Sequence, residues 1–128
     1  MPNMSGTSLL KTWTGEWSFA VDGGAQSTIV LRSNDGTLPI GSLILGGCID
    51  VTVAALSGTG TIAFSSGQTA ADLSAALAQA ALGIGVKSVI PAFTGATMIK
   101  LTADRAPAIT IATAAFTAGA LRVRLVYL

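Results

Sequence analysis

The stretch ALRVRLVYL, residues 120–128, decides how this chain is read. Leu121, Val123, Leu125 and Tyr127 alternate with Arg122, Arg124, Val126 and Leu128. A strand sends successive side chains to opposite faces, so period-two alternation marks a half-buried strand rather than a helix. The same rhythm recurs upstream. Ile109 and Ile111 alternate with Thr110 and Ala112, and Trp17 and Phe19 alternate with Ser18 and Ala20. Ile49, Val51 and Val53 share one face while Asp50 and Thr52 point the other way. STIVLR, residues 27–32, is rich in the β-branched residues that suit strands.

Between these segments lies turn chemistry. Asp22-Gly23-Gly24, Ser33-Asn34-Asp35-Gly36 and Gly58-Thr59-Gly60 combine residues that tolerate or favour tight reversals. Leu38-Pro39-Ile40-Gly41 opens a new segment at a sheet edge, because proline cannot donate to a ladder. Residues 43–45 and 48–54 follow as strand, bent at Gly46-Gly47, and residues 61–65 form the next. Strand-like segments resume at 86–91, 98–103, 108–114 and 120–128. One helix is predicted, over residues 69–82. Thr69 would cap it and Asp72 would sit at the positive end of its dipole. Leu73, Ala76, Leu77 and Ala80 fall on one helical face, and Gly83 is a natural stop. About eight short strands with glycine-rich turns predict a mainly all-β chain: a jelly-roll-like β-sandwich with one short helix in the middle. Residues 1–14 read as an N-terminal arm, and residues 15–128 as a single domain.

Composition narrows the function. The chain has 128 residues, 51% hydrophobic and only 10% charged, with seven basic and six acidic residues and no histidine. An average soluble domain carries about 25% charged residues. So apolar a chain is expected to hide surface by assembling with copies of itself or with a partner. The basic residues are scattered, and only Arg122 and Arg124 lie close together, so no nucleic-acid partner is expected. A membrane partner is not expected either. A spanning helix needs about 20 apolar residues, and the apolar stretches 38–49 and 106–121 are interrupted by Gly, Ser, Thr or Pro. The opening MPNMSGTSLLKTW lacks a signal-peptide pattern.

The chemistry-bearing residues are few. Without histidine there is no Ser-His-Asp or Cys-His pair and no imidazole metal ligand. Glu16, Asp22, Asp35, Asp50, Asp72 and Asp104 are dispersed, and Asp22 and Asp35 belong to turns. The glycine-rich segments 22–24 and 41–47 lack the Lys and Ser/Thr of a phosphate loop. Cys48 stands among apolar neighbours and is expected to be a buried, inert thiol. No catalytic residue, metal site or cofactor is expected. Trp13, Trp17, Phe19 and Tyr127 could fill the core, form an interface or offer a sugar-binding platform.

Two stretches carry a resemblance. FAVDGGAQSTIVLRSNDGTLPIGSLILGGCIDVTVAAL (residues 19–56) contains a VDGG turn and an LPIG entry continued by ILGG. KSVIPAFTGATMIKLTADRAPAITIATAAFTAGALRVRLVYL (residues 87–128) ends in a hydrophobic strand behind an FTAG turn. Together they resemble head decoration (capsid cement) proteins of tailed bacteriophages and related small virion proteins. The resemblance implies a jelly-roll-like fold, often a homotrimer, bound to the major capsid protein on the outside of the lattice at local three-fold positions. It implies a virion location after synthesis in the host cytoplasm, and a structural rather than enzymatic role. Met4, Leu9, Leu10, Trp13 and Trp17 are the expected contact residues. The alternative is a head-fibre, tail-associated or carbohydrate-binding β-sandwich module.

Overall fold

The computed structural model describes residues 10–91, 94 and 96–128. In chain order the elements are β1 (Lys11–Ser18), a one-turn helix α1 (Phe19–Asp22), β2 (Ser27–Val30), β3 (Leu43–Leu56), β4 (Thr61–Ser65), β5 (Ser74–Ala78), a 3-10 turn (Gln79–Ala81), β6 (Gly85–Ser88), β7 (Ile99–Lys100), β8 (Ala108–Ala112) and β9 (Ala118–Tyr127).

The pairing explains the architecture. β1 pairs with β9, β2 with β8, β3 with β6 and β4 with β5, all antiparallel. These nested ladders describe one long two-stranded ribbon that runs out through β4 and returns from β5. The ribbon is then rolled, so that β3 also meets β9 and β4 also meets β8. The result is a sheet of order β1-β9-β3-β6, with β7 added on β3, and a second sheet of order β2-β8-β4-β5. This is jelly-roll connectivity, in which rolling leaves two sheets with one apolar face each. Trp13, Trp17, Ile49, Val51, Leu121, Val123 and Leu125 from the first sheet meet Ile62, Phe64, Ile109 and Ile111 from the second in one buried cluster. The alternation in ALRVRLVYL is therefore realised: Leu121, Val123 and Leu125 are buried, and Arg122 and Arg124 are on the other face.

Glycine makes room for the largest core residues. A methyl group on Gly15 would collide with the Trp13 ring, and one on Gly119 would come within 2.9 Å of the Trp17 ring. The indole N–H groups are satisfied inside the fold. Trp13 Nε1 donates to the Gly36 carbonyl at 2.8 Å, and Trp17 Nε1 to the Gly23 carbonyl at 2.9 Å.

Several expectations are corrected. The predicted helix over residues 69–82 is absent: its centre is β5, and only Gln79–Ala81 is helical, as one 3-10 turn. The leucines of this segment are accommodated otherwise. Leu73 and Leu82 are fully buried, and Leu77 pairs with Ile62 across the β4–β5 ladder. Ala-rich sequence favours a short helix only weakly, and an unpaired β4 edge offers a whole ladder instead. Thr69 therefore caps no helix and Asp72 meets no helix dipole; the Asp72 carboxylate accepts from the Ser66 backbone N–H at 2.6 Å and the Ser66 hydroxyl at 2.5 Å. Strand β1 stops at Ser18 rather than continuing to Ala20. The Ser18 hydroxyl caps α1, and Gly23 at φ +78° ends it.

Residues 11–14, read as part of an arm, lie in β1, where they pair with residues 124–127 of β9. At Gly46-Gly47, where a bend is expected, β3 runs on continuously with a register shift between Ile44 and Gly46. Val53 does not share a face with Val51. A second shift between Val51 and Val53 inserts one residue, so Val53 pairs with Ala120 and is 51% exposed. Bulges of this kind turn a side chain from one face to the other.

Candidate interaction surface

The residues that could meet a partner follow from the register, because directly paired residues of an antiparallel ladder project to the same face. On the outer face of the β1-β9-β3-β6 sheet, one row runs Glu16, Arg122, Asp50 and Val86. The next row runs Thr14, Arg124, Cys48 and Ser88. Four charges are thus concentrated at the middle of one sheet face. Arg122 pairs with Glu16 at 3.3 Å. The Asp50 and Arg124 side chains have no ion-pair or hydrogen-bond partner among the described residues. An open depression lies over β1 and β9, lined by Thr12, Thr14, Glu16, Arg122, Arg124 and Val126. Exposed apolar side chains border the charges at the β6 end: Val86, Ile84 and Val53 are 68%, 72% and 51% exposed.

The outer face of the β2-β8-β4-β5 sheet is different. Its rows are Val30, Ala108 and Ser65; Thr28, Thr110 and Ala63; and Ala112, Thr61 and Ala78. No residue of these rows is charged, and none is larger than valine. The Thr28 and Thr110 hydroxyls share a hydrogen bond of 3.3 Å across the strands.

The expected contact residues fare unevenly. Trp13 and Trp17 are each 1% exposed, so they support the sheet from beneath and offer no side-chain surface. The same burial removes them from any sugar-binding platform, and Tyr127 is half-buried against the core. Leu10 is 47% exposed beside the start of β1. Met4 and Leu9 lie outside the described residues. Cys48 is half-buried rather than buried, on the outer face directly opposite Arg124. Sequence reasoning passed over Asp50 and Arg124 because each looks like an ordinary outward residue of its own strand. Their nearness depends on the β3–β9 register, which nothing local in the sequence announces.

The described residues form no enzyme-like constellation. Two further open depressions lie on the surface of the described residues. One lies beside β1 at Arg32, Ser33, Asn34 and Asp35; the other lies along residues 57–60 and 78–80. Asp22 is engaged by Arg32 at 2.9 Å, Asp35 accepts from the Thr14 N–H at 2.9 Å, and Asp104 accepts from the Ile40 N–H at 2.7 Å. Asp35 ties its loop to β1, Asp22 ties α1 to Arg32, and Asp104 ties two loops together. Among the described residues no three Cys, Asp or Glu side chains gather as metal ligands would, and no helix is long and apolar enough to cross a membrane.

Compared by sequence, the chain matches no protein-family model and no curated protein. Compared by structure, it is similar to a chain in the capsid asymmetric unit of cyanophage Pam1, with a TM-score of 0.65 at 20% identity. That match covers 99% of this chain and 89% of the other. It is also similar to a chain in the acidic stable capsid structure of Helicobacter pylori bacteriophage KHP30, with a TM-score of 0.64 at 13% identity. Here 94% of this chain and 87% of the other are covered. At these identities the likeness establishes the fold.

Proposed function

We propose that this chain is a non-enzymatic virion structural protein of a tailed bacteriophage, which decorates the outer capsid lattice and stabilises the shell. One observation carries the reading: the jelly roll coincides over nearly its whole length with chains found in two phage capsids, while sharing little sequence with either. The sparse charge and the two solvent-facing sheet surfaces support the same reading.

The mechanism is linkage. A protein that binds the assembled shell and not its free subunits stabilises the shell by mass action, and many copies act together through multivalency. In this reading the chain acts as a homotrimer bridging copies of the major capsid protein at local three-fold positions. Residues 1–9, with Met4 and Leu9, and the adjoining Leu10 are the segment that contacts a neighbour.

The test uses capsids purified without this chain. Added protein should co-sediment saturably with the shells and raise the temperature at which they release DNA. Removal of residues 1–9 should weaken the binding. Shells that bind no protein at saturating concentration would overturn the proposal.

A further inference from the structure

The outer face of the β1-β9-β3-β6 sheet carries a charge pattern that its own chain leaves incomplete. Asp50 on β3 and Arg124 on β9 stand in adjacent rows, on neighbouring strands and on the same face. Arg122, directly opposite Asp50, is already engaged by Glu16. The Asp50 and Arg124 side chains form no ion pair with each other in this structure, and neither side chain has a partner elsewhere among the described residues. One unpaired anion and one unpaired cation, side by side, are complementary to themselves.

We infer that this face is a two-fold contact with a second copy of the chain, in which Asp50 of each copy meets Arg124 of the other. An in-plane two-fold axis passing midway between the two residues exchanges them, which is the geometry of an isologous interface. Only a second copy is guaranteed to present the opposite charge at the matching position. The surface lies at the lower end of the range for a specific contact. At ~3.4 Å per residue and ~4.8 Å between strands, the four strands span roughly 600 Å² in projection. One side of a stable interface buries about 800 Å². The apolar component comes from Val53, Ile84 and Val86, all more than half exposed in the single chain. Two ion pairs alone would hold little, since exposed pairs contribute only ~0–1 kcal/mol each. Their role is to fix register and reject misaligned copies, while the valine and isoleucine contacts supply the affinity.

This contact does not rest on the capsid reading. A three-fold ring uses two different patches on each copy, so a self-matching face is additional to any trimer contact and links copies in pairs. It predicts assemblies in which copies, or larger units of them, are joined in pairs through this face, such as dimers of the 12.8 kDa chain or paired trimers.

The test is sedimentation equilibrium on the full-length chain at low salt, for the native protein, Asp50→Arg, Arg124→Asp and the double exchange D50R/R124D. The native protein should form dimers or dimers of larger units. Each single reversal places like charges in contact and should weaken association by about tenfold or more. The double exchange should recover native association. If a reversal fails to fold, Asp50→Asn and Arg124→Gln take its place, with a smaller loss expected. A native protein that remains monomeric or forms only trimers would overturn the inference. So would single variants that associate normally, or an exchange that associates no better than the single reversals.

Discussion

The two sheets of this jelly roll are built alike on the inside and differently on the outside. Both contribute alternating Ile, Leu, Val and aromatic residues to one shared core. Outside, the β1-β9-β3-β6 sheet presents Glu16, Asp50, Arg122 and Arg124 in two rows, whereas the rows of the β2-β8-β4-β5 sheet present only Ala, Ser, Thr and Val. The core needs apolar side chains from both sheets for the same reason, burial of area. The outer faces share no such constraint, so their difference reflects what each one meets. A charged, register-bearing face suits a partner with one required alignment. A neutral face of small residues suits close, smooth packing or plain solvent.

The largest expected effect tests the inner half of the comparison. Trp17→Ala should lower stability by about 3–5 kcal/mol in chemical denaturation, because it empties the most voluminous kind of core site. Phe64→Ala, from the opposite sheet, should fall in the same range if the core is truly shared. A loss under 1 kcal/mol for either would mean that the two sheets do not depend on each other equally. Next comes Gly15→Ala, where the added methyl meets the Trp13 ring. Overpacking of this kind should cost about 1–3 kcal/mol, read as a lowered denaturation midpoint with unchanged slope.

The outer faces are compared by matched surface substitutions. Asp50→Arg on the charged face should change self-association about tenfold with little effect on stability. Thr110→Arg, at the middle of the neutral face, should leave that association unchanged. Equal effects from the two would erase the distinction between the faces. The smallest expected effect is Glu16→Ala. Its ion pair with Arg122 is well exposed, with side chains 48% and 39% accessible, so stability should change by under about 1 kcal/mol.

Most of the fold was legible in the sequence because strand alternation is local. ALRVRLVYL shows its two faces without help from the rest of the chain, and Asn34-Asp35-Gly36 marks its turn through backbone chemistry alone. The segment 69–82 was misread for the opposite reason. Leu73, Ala76, Leu77 and Ala80 fit a helical stripe, yet the β4 edge and the interior between the sheets decide how the segment folds. The reversal of Val53 was invisible, since a bulge belongs to a pair of strands and not to either one. The same holds for the candidate surface. Asp50 and Arg124 are 74 positions apart in the chain, and only the β3–β9 register makes them neighbours. The tryptophans show the converse: large aromatics attract attention as contact residues, but their area has more value in a core lined with glycine than on a surface.

The most direct test of the virion role is electron cryomicroscopy of phage particles assembled with and without this chain. The account predicts additional density on the outer shell surface that fits the two-sheet jelly roll at full length, and that is missing from particles lacking the chain. Identical maps of the two particles, from preparations that differ in this protein, would contradict it.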